Sequence, residues 1–427
     1  MTTEQLYELY LQHPSVQTDT RKLKQGDIFF ALSGPNFDGN DFATEAIEAG
    51  AAYAVVNKEI ANNNGRILKV DNVLDSLQLL AKHHREQLAI PFIAITGSNG
   101  KTTTKELVSA VLASHFKTCT TQGNLNNHIG IPLTLLQVRQ DAEMAVIEMG
   151  ANHQKEIAGY CTYTEPTHGI ITNCGKAHLE GFGGIEGVRK GKGELFDYMR
   201  EHDGTVFIFK DYEYLQQMSK GIKNVVTYGT AEASVTGRAL PSETFLHVEI
   251  NCDNKPYFIK TQLAGDYNLP NILCAVAVGK YFNVPAKKII EAIESYAPGN
   301  SRSQMVVKGT NHIILDAYNA NPTSMKLAIE NIAKIKSDSK VLMLGGMMEL
   351  GEDSVQEHQN VIELIKKYSW AKVLLAGGDF AKTAHSFLYF NNSSEAADWA
   401  RLQNFHDSYF LIKGSRSIKM EKIAESL

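Results

Sequence analysis

The chain has 427 residues, enough for two to four domains with ample core. It is 43% hydrophobic and 21% charged, an ordinary balance for a soluble globular protein, and a net charge of −5 gives no electrostatic footprint for nucleic acid. No apolar run is long enough to span a bilayer, and the segment from Met1 to Tyr7 lacks a basic region followed by an apolar core, so neither membrane insertion nor a signal peptide is expected.

Three segments are predicted: 1–87, 88–299 and 300–427. The first holds an extended stretch, Asp27 to Leu32, then a turn-rich patch from Ser33 to Asn40. A helix pattern follows from Phe42 to Ala49, a strand at Ala52 to Val56, and a helix from Val73 to Leu88. The second segment opens at Pro91. Phe92-Ile93-Ala94-Ile95 reads as a buried strand, followed by a Gly-rich loop and a helix carrying Leu107, Val108, Val111 and Leu112 at helical spacing. Ala145 to Ile147 and Gly169 to Thr172 read as further buried parallel strands, and a helix is predicted from Ile185 to Met199. The third segment begins at the breaker cluster Pro298-Gly299-Asn300. Its apolar strands are Ile313 to Leu315, Val341 to Leu344, Val373 to Ala376 and Tyr409 to Ile412, with helical patterns between them. Strands alternating with helices predict an α/β chain with mostly parallel sheets, the third unit being a second, smaller α/β domain. The cysteines, Cys119, Cys161, Cys174, Cys252 and Cys274, are widely spaced with no Cys-x-x-Cys. Buried thiols are expected rather than a disulfide frame or metal site, which points to the cytoplasm.

The loop is Thr96-Gly97-Ser98-Asn99-Gly100-Lys101-Thr102-Thr103. A loop between a buried strand and a helix binds phosphate because the first helical N–H groups are unpaired and the helix dipole favours an anion. Glycine lets the backbone approach closely. Lys101 is expected to reach the β- and γ-phosphates and the Thr102 hydroxyl to ligate Mg²⁺. The common form of this motif has a glycine with four residues between it and the Gly-Lys pair. Here that position is Ile95 and the first glycine is Gly97, so this is a shorter variant.

Glu148 ends the apolar strand that starts at Met144. A carboxylate there sits on the ligand side of a parallel sheet, placed to hold Mg²⁺ with the phosphates. His178 follows the next strand, in Thr172-Asn173-Cys174-Gly175-Lys176-Ala177-His178, and would project from the same edge. Lys192, on the helix after it, competes with Lys190 and Lys176 as an active-site lysine, and spacing does not choose between them.

The loop resembles that of the Mur ligases, the ATP-dependent amide-forming enzymes of peptidoglycan synthesis, and the resemblance continues along nearly the whole chain. The run from Gly123 to Pro132, with Asn126 and Asn127, is similar to the family's Asn-rich stretch. Glu148-Met149-Gly150 and Ile171 through His178 resemble its metal-binding segments, and Lys192-Gly193-Glu194 its carbamylated-lysine motif. Asn268 and Asn271 resemble an adenine-side motif, Arg302 the interdomain arginine, and Asp316 to Pro322, with Asn319, a nucleotide-side motif. The ends resemble the family's D-alanyl-D-alanine-adding branch. Asp19-Thr20-Arg21, Gly26 to Leu32 and Asn36-Phe37-Asp38-Gly39 are similar to its UDP-sugar domain. Leu344 to Gly351 and Lys413 to Ser417 are similar to its C-terminal domain. Two positions depart from that pattern. Tyr267 stands where histidine is frequent, and Gly346 stands where aspartate is usual, with Glu349 a candidate to supply the missing carboxylate.

The resemblance implies three domains: a UDP-MurNAc-peptide-binding domain, a P-loop ATPase-like centre and a Rossmann-like C-terminal domain. It implies a cytoplasmic ligase, a monomer by default, that joins D-Ala-D-Ala to UDP-MurNAc-tripeptide with ATP and Mg²⁺. Lys101, Lys192, His178 and Glu148 would be its catalytic residues. Gly97 to Thr103, Asn268, Asn271, Arg302, Asp316 and Asn319 would bind nucleotide. Asp19, Thr20, Arg21, Asn36, Phe37, Asp38, Gly39, Asn126 and Asn127 would bind the precursor. Thr102 and Glu148 would hold one Mg²⁺, and His178 and carbamylated Lys192 would help to place a second. Carbamylation needs a neutral amine, so a depressed Lys192 pKa is expected. Two rivals share the loop. A folylpolyglutamate synthase-like ligase is expected to lack the first domain, and a non-ligase P-loop ATPase would form ADP without both substrates.

Overall fold

Three sheets form where the apolar runs lie. The computed structural model describes residues 1–60, 65–242, 245–252, 255–299 and 301–427, so Asn300, at the predicted boundary, lies outside the described residues. The first sheet has four parallel strands in sequence order, Val16–Gln17, Ile28–Phe30, Tyr53–Val56 and Ile67–Lys69. Its strands alternate faces. Ile28, Phe30 and Val55 join the main core, while Phe29, Ala54 and Val56 pack on Ala43 and Ala46. The helix predicted from Phe42 starts as a 3₁₀ turn, Gly39–Phe42, and becomes α over Ala43–Glu48. The helix Val73–Glu86 starts where the Asn72 side chain accepts from the N–H groups of Leu74 and Asp75.

That helix also joins the first domain to the second. It packs on the helices Gly130–Leu135 and Glu156–Thr164. Its Arg85 donates to the carbonyls of Thr164 at 2.9 Å and Glu165 at 2.8 Å, with the guanidinium 4.0 Å from the Phe92 ring centre. Tyr10 adds a bond to the Leu136 carbonyl at 2.5 Å.

The second sheet has nine strands. In spatial order they are Lys255–Lys260, His247–Cys252, Val235–Leu240, Asn224–Gly229, Thr205–Phe209, His168–Ile171, Phe92–Thr96, Met144–Glu148 and Thr118–Thr120. All neighbours are parallel except at the edge, where His247–Cys252 runs antiparallel to both its neighbours. Phe92–Thr96 lies between Met144–Glu148 and His168–Ile171, with Ile95 opposite Glu148 and Thr96 opposite Ile171. This register ends the three strands level, so Glu148 and the segment after Ile171 flank the loop on either side. The helix Leu269–Tyr281, buried almost all round, packs on the helix Lys101–Ala113 and brings Asn268 and Asn271 to the loop.

The third sheet runs Gln304–Lys308, Asn311–Asp316, Tyr409–Lys413, Lys340–Gly345, Lys372–Ala376, Leu388–Phe390, with only its first pair antiparallel. The helices Pro322–Ala333 and Ser354–Ile365 pack on each other, with buried residues in the main core. The helices Ser393–Arg401 and Glu421–Ser426 enclose a separate cluster around Phe410 and Ile412. Among the described residues no helix is long and apolar enough to cross a membrane, and Cys161, Cys174 and Cys274 are buried thiols.

Candidate active site

Two glycines of the phosphate loop combine a positive φ with close neighbours. Gly100 caps the helix Lys101–Ala113 with φ +77°, and a Cβ there would lie 2.7 Å from Asn271 Oδ1. Gly97 has φ +142°, and a Cβ would collide with the Thr172 hydroxyl. The loop is fastened to the segment after Ile171. Ser98 N–H donates to the Asn173 carbonyl at 2.8 Å, Asn99 N–H donates to Asn173 Oδ1 at 3.1 Å, and Asn173 Nδ2 donates to the Asn99 carbonyl at 2.9 Å. Lys101 Nζ lies over the loop, donating to the carbonyls of Gly97 at 2.5 Å and Ser98 at 3.2 Å. Burial pushes its pKa down to about 8, with Glu148 opposing that shift and Arg302 adding to it.

The Thr102 hydroxyl donates to one oxygen of Glu148 at 2.8 Å, and Asn126 Nδ2 donates to the other at 2.7 Å. Thr102 and Glu148 are buried, and both offer hard oxygen donors of the kind Mg²⁺ prefers. Among the described residues no three His, Cys, Asp or Glu side chains form a metal cluster. The pair therefore fits a cation that takes its remaining ligands from phosphate and water, as Mg²⁺ does beside nucleotides.

Of the three competing lysines, burial separates Lys192. It is 1% exposed, it donates to the Ala151 carbonyl at 2.9 Å, and its ammonium lies 4.9 Å from the Phe182 ring centre. Burial, with the nearby Lys101 charge, holds its pKa well below the ordinary lysine value. Lys190 is exposed, and Lys176 Nζ is engaged by Glu357 Oε1 at 2.5 Å. His178 lines the cavity with φ +52°. Its Nδ1 meets the Glu349 carboxylate of the third domain, a close contact not aligned as a hydrogen bond, and His178 holds the Glu349 carboxyl below its usual range.

Lys101, Thr102, Glu148, His178 and Glu349 line a cavity of about 770 Å³ between the second and third domains, with Asn268, Asn271, Arg302, Asp316 and Asn319; Lys192 does not line it and reaches it only through Ala151, which does. Asn271 Oδ1 accepts from Thr104 Oγ1 at 3.1 Å, and its Nδ2 donates to Asn268 Oδ1 at 2.9 Å. The Arg302 guanidinium stacks 3.6 Å from the Tyr318 ring centre. Tyr267 fills the departed histidine position. Its hydroxyl lies 2.9 Å from Ser303 Oγ, and burial with the Asp316 charge raises its pKa. Sequence reasoning missed Lys413 and Asn321 as site residues, though both lie in motifs it singled out. Lys413 is 1% exposed and donates to Asp316 Oδ2 at 2.6 Å and the Asn319 carbonyl at 3.0 Å. Asn321 Nδ2 reaches Asn99 Oδ1 at 2.8 Å.

The precursor-binding candidates divide. Asn126 and Asn127 line the cavity. Asp19, Thr20, Arg21, Asn36, Phe37, Asp38 and Gly39 do not; they lie beyond the carboxyl ends of the first two strands of the small sheet, the ligand edge of such a sheet. Arg21 is paired bidentately with Asp19 at 2.8 and 2.9 Å. Asp38 is engaged internally. It accepts from Ser33 Oγ at 2.7 Å and Asn40 Nδ2 at 2.6 Å, and it pairs with Lys58, which together push its pKa far down. Phe37 is 59% exposed. The other departure has a steric cause, since a Cβ on Gly346 would lie 2.5 Å from Gly378 Cα. No aspartate fits there, and the carboxylate that reaches the site from this loop is Glu349.

Residues 14–85, 95–279 and 301–416 match in turn the models of the Mur ligase family catalytic domain, the Mur ligase middle domain and the Mur ligase glutamate ligase domain. The chain is 32% identical to the UDP-N-acetylmuramoyl-tripeptide–D-alanyl-D-alanine ligase of Bacillus subtilis (strain 168), over 99% of this chain and 94% of that one. A crystal structure of MurF from Acinetobacter baumannii superposes with a TM-score of 0.87 at 28% identity, covering 97% of this chain and 93% of that one. The MurF ligase of Thermotoga maritima in complex with ADP gives 0.87 at 25% identity, covering 97% of each chain.

Proposed function

The chain belongs to the Mur ligase family, and we propose that it joins D-alanyl-D-alanine to UDP-N-acetylmuramoyl-tripeptide in peptidoglycan precursor synthesis, with ATP converted to ADP and phosphate. One observation carries the reading to this chain's own chemistry: the loop lysine Lys101, the Thr102–Glu148 pair and Arg302 line a single cavity closed by the third domain. The full-length likeness, with the first domain included, favours this ligase over a folylpolyglutamate synthase-like enzyme. We set the domain limits at 1–87, 88–299 and 300–427, the reaction in the cytoplasm and the chain as a monomer.

A carboxylate is a poor electrophile because its leaving group would be oxide. Transfer of the γ-phosphoryl group to the tripeptide carboxylate makes an acyl phosphate and releases ADP. The dipeptide amine, entering as its free base, then attacks the acyl carbon, loses a proton, and phosphate leaves. Two anions must meet in the first step, so positive charge is needed between them. Lys101, Arg302 and the amino end of the helix Lys101–Ala113 supply it by positioning and electrostatics. Thr102 and Glu148 would hold Mg²⁺, which would supply further positive charge beside the triphosphate. His178 and Lys192, as its carbamate, would help to place a second ion. A neutral buried amine can take up CO₂, which turns a cation into an anion. Asn268, Asn271, Asp316 and Asn319 face adenine and ribose. The first-domain edge, with Phe37 exposed, takes the UDP-sugar end. Docking of the third domain keeps water from the acyl phosphate.

The test is ADP release by the purified chain with UDP-MurNAc-tripeptide and D-Ala-D-Ala, varying the third peptide residue between diaminopimelate and lysine. Release that requires both precursors is expected. Release without either would identify an uncoupled ATPase and sink the assignment.

A further inference from the structure

Among the described residues, the side chain of Asn321 hydrogen-bonds the phosphate loop from the third domain. Asn321 is the N-cap of the helix Pro322–Ala333, and its Oδ1 is committed to the Ser324 N–H at 2.9 Å. Its Nδ2 is therefore the free end of the amide, and it donates to Asn99 Oδ1 at 2.8 Å. That bond dictates how Asn99 stands. With Oδ1 turned to Asn321, Asn99 Nδ2 is buried beside Gly175 and has no partner among the described residues. A buried, unpaired N–H is unfavourable, so Asn99 holds this orientation because Asn321 Nδ2 is there to donate to its Oδ1.

The rest of Asn99 is already fixed within the second domain. Its N–H and carbonyl bond to Asn173, and its carbonyl also accepts from Thr172 Oγ1 at 2.7 Å. The same segment is gripped from the third domain at its next residues. Thr323, two residues past Asn321, accepts from the Lys176 N–H at 3.0 Å. One helix start thus holds both the phosphate loop and the segment that leads to His178.

We propose that Asn321 is a positioning residue for nucleotide use, acting through Asn99: it registers the docked third domain directly on the phosphate loop, so that nucleotide binding and docking favour each other. The proposal rests on the ATP site described above and not on the identity of the amide product. By linkage, the preference of nucleotide for the docked form sets how far the loss of the Asn321 contact lowers nucleotide affinity, and bound nucleotide favours docking by the same factor.

The experiment is a double-mutant cycle on the full-length chain, with ADP affinity measured by calorimetry and folding by thermal melting. Asn321→Ser keeps a capping oxygen but is too short to reach Asn99. Asn99→Ala removes the other partner and leaves the loop backbone intact. Each single variant is expected to weaken ADP binding about five- to tenfold, the scale of one hydrogen bond, with an unchanged melting temperature for Asn321→Ser. The double variant is expected to be no weaker than either single one. Effects that multiply, or an unchanged ADP affinity in Asn321→Ser, overturn the proposal. A lowered melting temperature with normal affinity also overturns it, since Asn321 would then be a helix cap and nothing more. ADP binding needs no amide product, so failure here is distinct from failure of the ligase assignment.

Discussion

Lys101 and Lys192 are both buried lysines with depressed pKa values, yet the direction has opposite uses. Lys101 must be an ammonium to hold phosphate, and burial brings its pKa to about 8. Its charge is full below that value and is lost as pH rises through it. kcat/KM for ATP reports the free enzyme, so it should fall as pH rises above about 8, by up to tenfold per unit. A pH–rate series measures this, and a level profile to pH 10 would contradict it. Lys101→Ala should abolish ligation at every pH. For Lys192 the neutral amine is the useful form, and burial with the Lys101 charge pushes its pKa in that direction. Lys192→Ala should lose most activity and regain part of it with a short carboxylic acid, which can stand where the carbamate's oxygens would be. Lys190→Ala, altering an exposed neighbour, should lose little. Absence of rescue would speak against the carbamate. Sequence spacing left these lysines level because helical phase separates 192 from 190 only once the packed face is known. The Thr102–Glu148 pair was readable in advance, since a strand-end acid beside a loop-bearing strand has one place to go.

Among the elements, legibility follows burial. The strands Phe92–Thr96, Met144–Glu148, His168–Ile171 and Lys340–Gly345 are buried on both faces and read as continuous apolar runs. The edge strands His247–Cys252 and Lys255–Lys260 were not predicted. In His247-Val248-Glu249-Ile250-Asn251-Cys252 alternate residues are buried, the period-two pattern of a half-buried strand, so this signal is present in the sequence and is passed over because it lacks a continuous apolar run. The Asn321–Asn99 bond was invisible for another reason, as its partners are 222 residues apart and meet only when two domains dock. The strand end at Gly345-Gly346 has its own consequence. Gly346 and Gly378 pack backbone on backbone, and the Gly346 carbonyl accepts from the Ser415 N–H at 3.2 Å. Met347 N–H then donates to His358 Nε2 at 3.0 Å, which sets the loop that carries Glu349. Gly346→Ala would push its Cβ into Gly378 at 2.5 Å with no flexible side chain to give way. An overpacking cost of about 1–3 kcal/mol is expected. Thermal melting should show a loss of several degrees; an unchanged melting temperature would mean that the two strand ends separate freely.

At the scale of the molecule, the two domain junctions differ in kind. The first domain is tied to the second by a whole helix face, Val73–Glu86, with Arg85 and Tyr10 bonded across it. The third meets the second through polar pairs at the cavity rim, among them Lys176–Glu357, His178–Glu349 and Asp266–Lys334. Exposed ion pairs contribute about 0–1 kcal/mol each and weaken with salt. In Lys176–Glu357 the lysine side chain is 48% exposed and the glutamate 10%, so this pair should outweigh Asp266–Lys334, whose side chains are 53% and 65% exposed. Docking of the third domain is therefore expected to depend on ionic strength, while the first two domains move together. In small-angle scattering the radius of gyration should rise with added salt. Glu357→Ala should start from the expanded value and respond less, because the pair that salt screens is already gone, and Lys176 on its own can be solvated. If the variant scatters like the unaltered chain at every salt concentration, the polar rim does not hold the third domain, and its docking must be set by the apolar contacts beneath.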